Sequence, residues 1–342
     1  MFEDFRNKTQ QEDGMIFPSN IYRKIVLQPA YDEAKKNFLI IMLQINIAHL
    51  KMLEEQGLVK AEEAKQIGLA LKKLDLNYYR IEDYSPNYED LFFRIENKLI
   101  EFAGDVAGNL HIGRSRNDMG IAIYRMTLRK KLLELMRALL TLRDDLVAAA
   151  EEHIDTIMIG YTHTQQAQPT TFAHYLKAVI DQLNRDFERL QNVYKTVNRS
   201  SMGAAALTTT GFNISRERMR DLLAFDEIIE NAWDAVAGAD YIAEAASTVQ
   251  LAALNLGRTS QDFLLWRRRN SMHLHLPAHT YKLALLCLKS ATLYRLSIHV
   301  HCYQRSLVMQ VRYCKWYIIH RLVISLTQRM ICNLIYGVPL IV

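Results

Sequence analysis

Gly108-Asn-Leu-His-Ile-Gly-Arg-Ser-Arg-Asn-Asp-Met-Gly120 places five polar or charged side chains, Arg114 to Asp118, in an unbroken row. His111 stands just ahead of them, and Gly108 and Gly113 introduce the run. Neighbouring residues on a helix or strand point in different directions, so such a row cannot be one buried face. Two readings fit these residues. One is a solvated, glycine-softened lead-in to the helix that follows. The other is a polar wall that recognises an anion.

Outward from this stretch the chain reads as helices. Downstream, Ile121 to about Asp155 carries Leu132, Leu135, Leu139 and Leu142 with Arg and Glu between them. Thr170 to about Val197 carries Leu176, Val179, Leu183, Phe187, Leu190 and Tyr194, close to a heptad rhythm. Ile228 to Trp266 is alanine-rich, with Gly238 and Gly257 as its only breakers. Helices of about 30 residues are roughly 45 Å long, and when apolar beyond one stripe they need partners along their whole length. Upstream, Ala30 to Glu55 suits a well-buried helix stopped by Gly57, and Val59 to Leu74 suits a second. A third runs from about Tyr88 to Phe102 and ends at Gly104. No period-2 alternation is long enough to argue for a sheet, so the expected class is all-α, a long-helix bundle.

Two more connections concentrate polar groups. Gly160-Tyr-Thr-His-Thr-Gln-Gln-Ala-Gln-Pro169 sets Thr162, His163, Gln165 and Gln168 before Pro169, a favoured first position for the next helix. Ser200 to Gly211 is small and hydroxyl-rich. Taken alone, His163 reads either as a hydrogen-bonded structural histidine or as a catalyst, and the Ser/Gly stretch as a plain loop or an oxyanion cradle.

Composition bounds the rest. At 342 residues, half of them hydrophobic and 23% charged, the chain has a globular composition and length for more than one structural unit. Met1 to Lys8 is charged and lacks the apolar core of a signal peptide. No uncharged apolar run reaches the roughly 18 residues of a membrane helix. A cytoplasmic protein without a membrane partner is therefore expected. The net charge of +5 hides an asymmetry. From Arg267 onward there are 11 Lys or Arg and no Asp or Glu, which leaves 31 basic and 37 acidic groups in the first 266 residues. All four cysteines (Cys287, Cys302, Cys314, Cys332) and six of the 11 histidines also fall in this tail. The cysteine spacings of 15, 12 and 18 match no zinc-ligand pattern, so no metal site is expected.

The three polar connections, in this order between long helices, resemble the argininosuccinate lyase branch of the fumarase/aspartase superfamily. LHIGRSRND (Leu110 to Asp118) is similar to that family's LHTGRSRND, and GYTHTQQAQP (Gly160 to Pro169) to its GYTHLQRAQP. IAHLKML (Ile47 to Leu53), MGAAALTTTGF (Met202 to Phe212) and ENAWDAV (Glu230 to Val236) are weaker echoes, and the resemblance runs from about Ala30 to Trp266. It implies an all-α homotetramer with active sites assembled from three subunits and no cofactor. The implied reaction is anti β-elimination of a C–N bond in an N-substituted aspartate, as of argininosuccinate to arginine and fumarate. Such chemistry needs donors and cations around two carboxylates, and a base and an acid on opposite faces of the substrate. By match to the motifs, Ser115, Arg116, Asn117 and Asp118 are expected to bind substrate, with Thr162 and Gln165 supplying further hydrogen bonds. His163, with Thr162 beside it, is expected to be the acid/base residue; imidazole is the side chain suited to proton exchange near neutrality.

There are departures. Ile112 stands for the family's Thr, Met119-Gly120 for Gln-Val, and Thr164 and Gln166 for Leu and Arg. Ala237 to Tyr241 stands where the family reads Ser-Asp-Arg-Asp-Phe. The anion-handling core is kept while its surroundings differ. The resemblance therefore carries to a fumarate-releasing C–N lyase before it carries to argininosuccinate as substrate. Two alternatives stay open: a lyase acting on a different N-substituted aspartate, and a non-catalytic helical scaffold or subunit.

The family's third signature, a mobile loop of the type SSIMPQKRNP, should follow Trp266 closely and does not occur in the chain. Codon degeneracy offers a reason. Trp266 to His273 can be encoded TGG CGA CGG AGG AAT TCA ATG CAN. Read one nucleotide earlier, from the last G of the Trp codon, this gives ATEEFNA, as the family continues. The same shift lets Lys282 to Ser297 read QISSIMPQKRNPVSIE, and Arg329 to Gly337 read EDDMQPYIW. Loss of one nucleotide after the Trp266 codon is therefore expected. The expected organisation is an N-terminal helical domain at 1–105, an incomplete central bundle domain at 106–266 and an out-of-frame tail at 267–342. On that reading the tail's arginines are no nucleic-acid site and its cysteines and histidines no metal ligands.

Overall fold

The computed structural model describes residues 18–266; the tail from residue 267, and every expectation placed on it, lies outside the described residues. The architecture is all-α, as expected, and among the described residues no helix is long and apolar enough to cross a membrane. A helical turn at Asn20–Tyr22 continues through a π-helical turn, Arg23–Leu27, into α1 (Gln28–Asn37). The helix expected from Ala30 to Glu55 is interrupted at Phe38, whose φ of −111° separates α1 from α2 (Leu39–Glu55). Next come α3 (Ala61–Lys72), α4 (Leu76–Ile81), α5 (Leu91–Ala103) and a 3-10 segment, Gly104–His111. Then α6 (Arg116–Glu152) leads to β1 (Ile157–Thr162), β2 (Gln165–Thr171) and α7 (Phe172–Val197). The chain ends, as described, with β3 (Arg199–Ser200), α8 (Arg216–Leu222), β4 (Glu227–Ile228), α9 (Ala232–Ala237) and α10 (Asp240–Trp266).

These elements form two compact units that interleave in sequence. Residues 18–128 and 198–238 make the first, and residues 129–197 and 239–266 the second. In the first, α2 is buried almost all round: Ile45, Met52 and Leu53 have no exposed surface, and Asn46 and His49 are buried with them. Gly57 closes this helix in the left-handed region (φ 70°), with the Leu58 N–H donating to the Leu53 carbonyl at 3.0 Å. That is the helix-ending motif in which glycine avoids a Cβ clash. Met202, Met219, Leu223 and Phe225, from the 198–238 segment, join the same core.

In the second unit, Leu132, Leu135, Leu139, Leu142 and Leu146 of α6 are buried at alternating three- and four-residue steps. Along the α7–α10 contact runs a polar ladder. Gln182 donates to Asn255 Oδ1 at 2.6 Å, and Asn255 donates to Asp186 Oδ2 at 2.8 Å. Arg189 donates to the other oxygen of Asp186 at 2.7 Å, so this buried carboxylate is fully paired. At the end of α10, Trp266 meets the Tyr175 ring edge-on at 4.5 Å.

No signal in the chain announces a hairpin, yet β1 and β2 pair antiparallel from Ile157↔Thr171 to Thr162↔Gln165. Of β1 and β2, only Met158 is buried. A ladder with no buried face leaves no alternation to read. Pro169 consequently lies within β2, paired with Ile159, and α7 begins at Phe172. The connection is two residues long, His163 (φ 51°) and Thr164 (φ 63°), both left-handed as such tight hairpin turns require. Asn-Gly or Asp-Gly would announce such a turn; a β-branched threonine there is strained. Thr164→Gly should therefore raise thermal stability by about 1 kcal/mol. A lowered unfolding midpoint would mean the tip carries no strain.

Candidate active site

The opening stretch folds as the start of α6. This helix begins at Arg116, five residues before the expected Ile121, so Arg116, Asn117 and Asp118 are its first turn. Ser115 precedes it: its Oγ accepts from the Asn117 N–H at 3.2 Å, while its own N–H donates to Asp118 Oδ1 at 2.9 Å. Ser-x-x-Asp before a helix is a reciprocal capping pattern, present in the sequence though not used in reading it.

Asp118 reaches much further. Its side chain has no exposed surface. Oδ1 also accepts from the Met119 N–H at 2.9 Å, and Oδ2 accepts from the Gly203 and Ala205 N–H groups, each at 3.0 Å. Its backbone carbonyl accepts from Ser201 Oγ at 2.8 Å. Burial raises the Asp118 pKa, and the four backbone donors oppose that rise. Expected among the substrate-binding residues, Asp118 is placed where both oxygens are taken by main chain, and its observed work is to join two loops. Asn117 adds a second tie, donating to the Ala206 carbonyl at 3.0 Å.

The same joint depends on Gly113, which introduces the run, and on Gly203 and Arg216, which the sequence leaves unmarked. Gly113 has φ 70°, and a Cβ there would stand 2.6 Å from Ile214 Cγ2. Gly203 has φ 83°, and its Cβ would stand 2.6 Å from Arg216 Cγ. Arg216 donates to the carbonyls of Met202 (3.3 Å), Ile229 (2.6 Å) and Glu230 (2.9 Å). The paired glycines in LHIGRSRND and MGAAAL were the only available signal.

Beneath the stretch lies a polar layer, buried at Asn46 and His49 and half-buried at Arg114, His111 and Glu96. The guanidinium of Arg114 donates to Asn46 Oδ1 at 2.8 Å and His111 Nδ1 at 3.1 Å, and its Nε is buried. Because His111 Nδ1 accepts, its proton sits on Nε2, which donates to Glu96 at 3.0 Å. His49 donates from Nε2 to the Ile112 carbonyl at 2.9 Å. Burial, with the nearby Arg114 charge, holds His111 down to about 4 and His49 to about 3. Burial also pushes Arg114 down to about 10.

Arg116 and Asn117 are exposed. Arg116 pairs with Asp90 and, at 3.5 Å, with Glu89, and its guanidinium lies 4.6 Å from the Phe93 ring centre. In the second unit, Thr162, His163 and Gln165 are exposed at the hairpin tip, Thr162 and Gln165 paired across it. The structure thus brings Ser115, Arg116, Asn117 and Asp118 together at one helix start, and Thr162, His163 and Gln165 together at one turn.

Replacing Asp118 by alanine strands three backbone N–H groups, those of Ser115, Gly203 and Ala205, each worth about 1–3 kcal/mol when left unsatisfied, while the Met119 N–H keeps the Ser115 carbonyl at 3.3 Å. Asp118→Ala should therefore cost at least about 3 kcal/mol in urea denaturation, and Asp118→Asn, which keeps one acceptor, less. An unchanged midpoint for the alanine variant would leave Asp118 a substrate ligand only. The two depressed imidazoles set a pH dependence. Their folded values lie below the ordinary 6.5, so the stability they confer is complete above pH 6.5 and is lost as pH falls toward 4 and then 3. The loss is about 1.4 kcal/mol per pH unit for each imidazole kept unprotonated. Glu96 and Asp118, raised by burial, oppose the trend at the acid end. Melting followed from pH 7 to 4 should show the decline, with a shallower slope in His111→Gln.

A family model described as a lyase matches residues 23–279. The argininosuccinate lyase of Methanosarcina mazei is 40% identical over 259 residues, covering 72% of this chain and 52% of that protein. Argininosuccinate lyase 2 of Agrobacterium fabrum is 41% identical over 259 residues, covering 75% and 51%. The chain spans about half the length of these curated relatives. Among solved structures, an EDDS lyase variant with bound fumarate superposes with a TM-score of 0.77 at 27% identity, covering 96% of this chain and 68% of that one. The motifs of both loops, the helical architecture and these matches agree: the chain belongs to the lyase family of the fumarase/aspartase superfamily, in its argininosuccinate lyase branch.

Proposed function

We infer that this chain derives from an enzyme that releases fumarate from an N-substituted aspartate by β-elimination, as an argininosuccinate lyase does. The observation that carries this is the presentation of Arg116 and Asn117 at the start of α6, held by the buried Asp118 joint. A helix start carries partial positive charge, and the exposed guanidinium and amide add donors suited to a carboxylate. In the reaction, a base removes a proton from the carbon next to the carboxylate that is not attached to the C–N carbon. The electron pair first delocalises into that carboxylate and then forms the C=C bond as C–N breaks. The leaving nitrogen takes a proton and departs as a neutral amine. Arg116, Asn117 and Ser115 hold the carboxylates, and the charge that develops there makes their donors most valuable in the transition state. His163 moves a proton, with Thr162 and Gln165 hydrogen-bonding beside it. Asp118 is a positioning residue.

The assembly belonging to this reading is a cytoplasmic homotetramer. The domain division at 105/106 and the out-of-frame tail belong to it as well. Without the SSIMPQKRNP loop, the chain as translated is inactive alone. The departures around the retained motifs favour one variant of this reading, an N-substituted aspartate other than argininosuccinate.

Fumarate release, followed by absorbance with argininosuccinate and other N-substituted aspartates, tests the proposal. The gene is first read across the Trp266 codon, and the translated and frame-restored chains are assayed side by side. Activity is expected in the restored chain only. Activity in the translated chain alone would show the loop to be dispensable. A restored chain inactive on every such aspartate would favour a non-catalytic scaffold, and a gene with no frame encoding the loop would remove the frameshift.

A further inference from the structure

The first unit contains a cleft of about 670 Å³, within the ordinary range for a small-molecule site. It runs from the start of α6 between α1, α2 and the first turn of α5. Arg116 and Asn117 line it. The rest of the lining is mostly hydrocarbon and aromatic, with Phe38, Met42, Leu91, Phe92, Ile123 and Tyr124. Phe38 and Tyr124 meet edge to face at 5.5 Å, a rigid corner. Met42, Leu91 and Ile123 are buried, so the wall is backed by packed core. The remaining charged groups are acidic. Asp90 is committed to Arg116, and Glu33 lies on the α1 side. Among the described residues lining the cleft, Arg116 alone is cationic.

Resting on the fumarate-releasing reading, we propose that this cleft holds the amine half of the substrate and selects an N-aryl or N-alkyl aspartate whose substituent carries no second acid group. The succinyl carboxylates engage Arg116 and Asn117, and the nitrogen substituent lies along the apolar walls. The arginine half of argininosuccinate would bring three further charges, a guanidinium, an ammonium and a carboxylate, among hydrocarbon and aromatic walls, where they lose water and the carboxylate meets no cation but Arg116. A hydrocarbon or aromatic substituent instead gains from burial against Phe38, Met42 and Tyr124.

Calorimetric binding of three probes to the frame-restored chain tests this: succinate, N-benzyl-L-aspartate and L-argininosuccinate. The expected order is N-benzyl-L-aspartate about tenfold tighter than succinate, with argininosuccinate no tighter than succinate. In Tyr124→Ala the ratio of N-benzyl-L-aspartate to succinate affinity should fall toward one, and Tyr124→Phe should restore it. Tyr124 is 47% exposed, so neither change opens the core, and a thermal melt verifies that each variant folds. Argininosuccinate as the tightest ligand, or a benzyl group that adds nothing, overturns this selectivity while leaving fumarate release standing. A chain that binds none of the three overturns both.

Discussion

Four backbone N–H groups converge on the Asp118 carboxylate, and everything the candidate site can do rests on them. Two come from the stretch that contains Asp118 and two from Gly203 and Ala205, 85 and 87 residues away. A carboxylate removed from water must be compensated by donors, and donors at a loop must find acceptors; here each solves the other's problem. The consequence is geometric. With Ser115 and Gly203 tied to one side chain, Arg116 and Asn117 leave the helix start in a fixed direction. Gly113 and Gly203 permit the close approach, because Ile214 and Arg216 occupy the space their side chains would need.

Arg114 and Arg116 stand two residues apart and do opposite work. Arg114 is turned inward, between Asn46 and His111, and burial lowers its affinity for its proton without removing its charge at neutral pH. Arg116 is turned outward onto the face of Phe93 and shares acidic neighbours. A buried ionic layer is a costly way to gain stability, and its better-attested use is to specify one arrangement among several. Here it holds Arg114 inward and leaves Arg116, two residues on, facing solvent. The neutral tautomer of His111, accepting from Arg114 and donating to Glu96, transmits that specification to α5.

How much of this was legible depends on what each residue's partners are. The buried leucines of α6 repeat at helical spacing, so the long helix could be read directly, as could the stop at Gly57. Gly238 was visible as a breaker, though the short α9 before it was not separated from α10. The β1–β2 hairpin was invisible because its side chains face solvent and its turn residues, His163 and Thr164, are not turn formers. The return of residues 198–238 to the first unit was equally hidden, since it is made by packing of Met202, Met219 and Phe225 on distant helices. The role of Asp118 was half legible: Ser115-x-x-Asp118 states the cap, but nothing local announces the second pair of donors from Gly203 and Ala205.

Each compact unit presents its candidate site side chains to solvent. Arg116 and Asn117 face solvent at the head of α6, and Thr162, His163 and Gln165 face it at a hairpin tip. Proton abstraction next to a carboxylate is slow in water, and donors around the developing charge gain most of their value where water is excluded. On the proposed reading these edges therefore work only when covered, which is the physical sense of a site shared among several chains. The left-handed turn at His163 and Thr164 fits the same requirement. A two-residue turn closed by its own ladder sets the direction in which the His163 Cα–Cβ bond leaves the backbone before anything covers it.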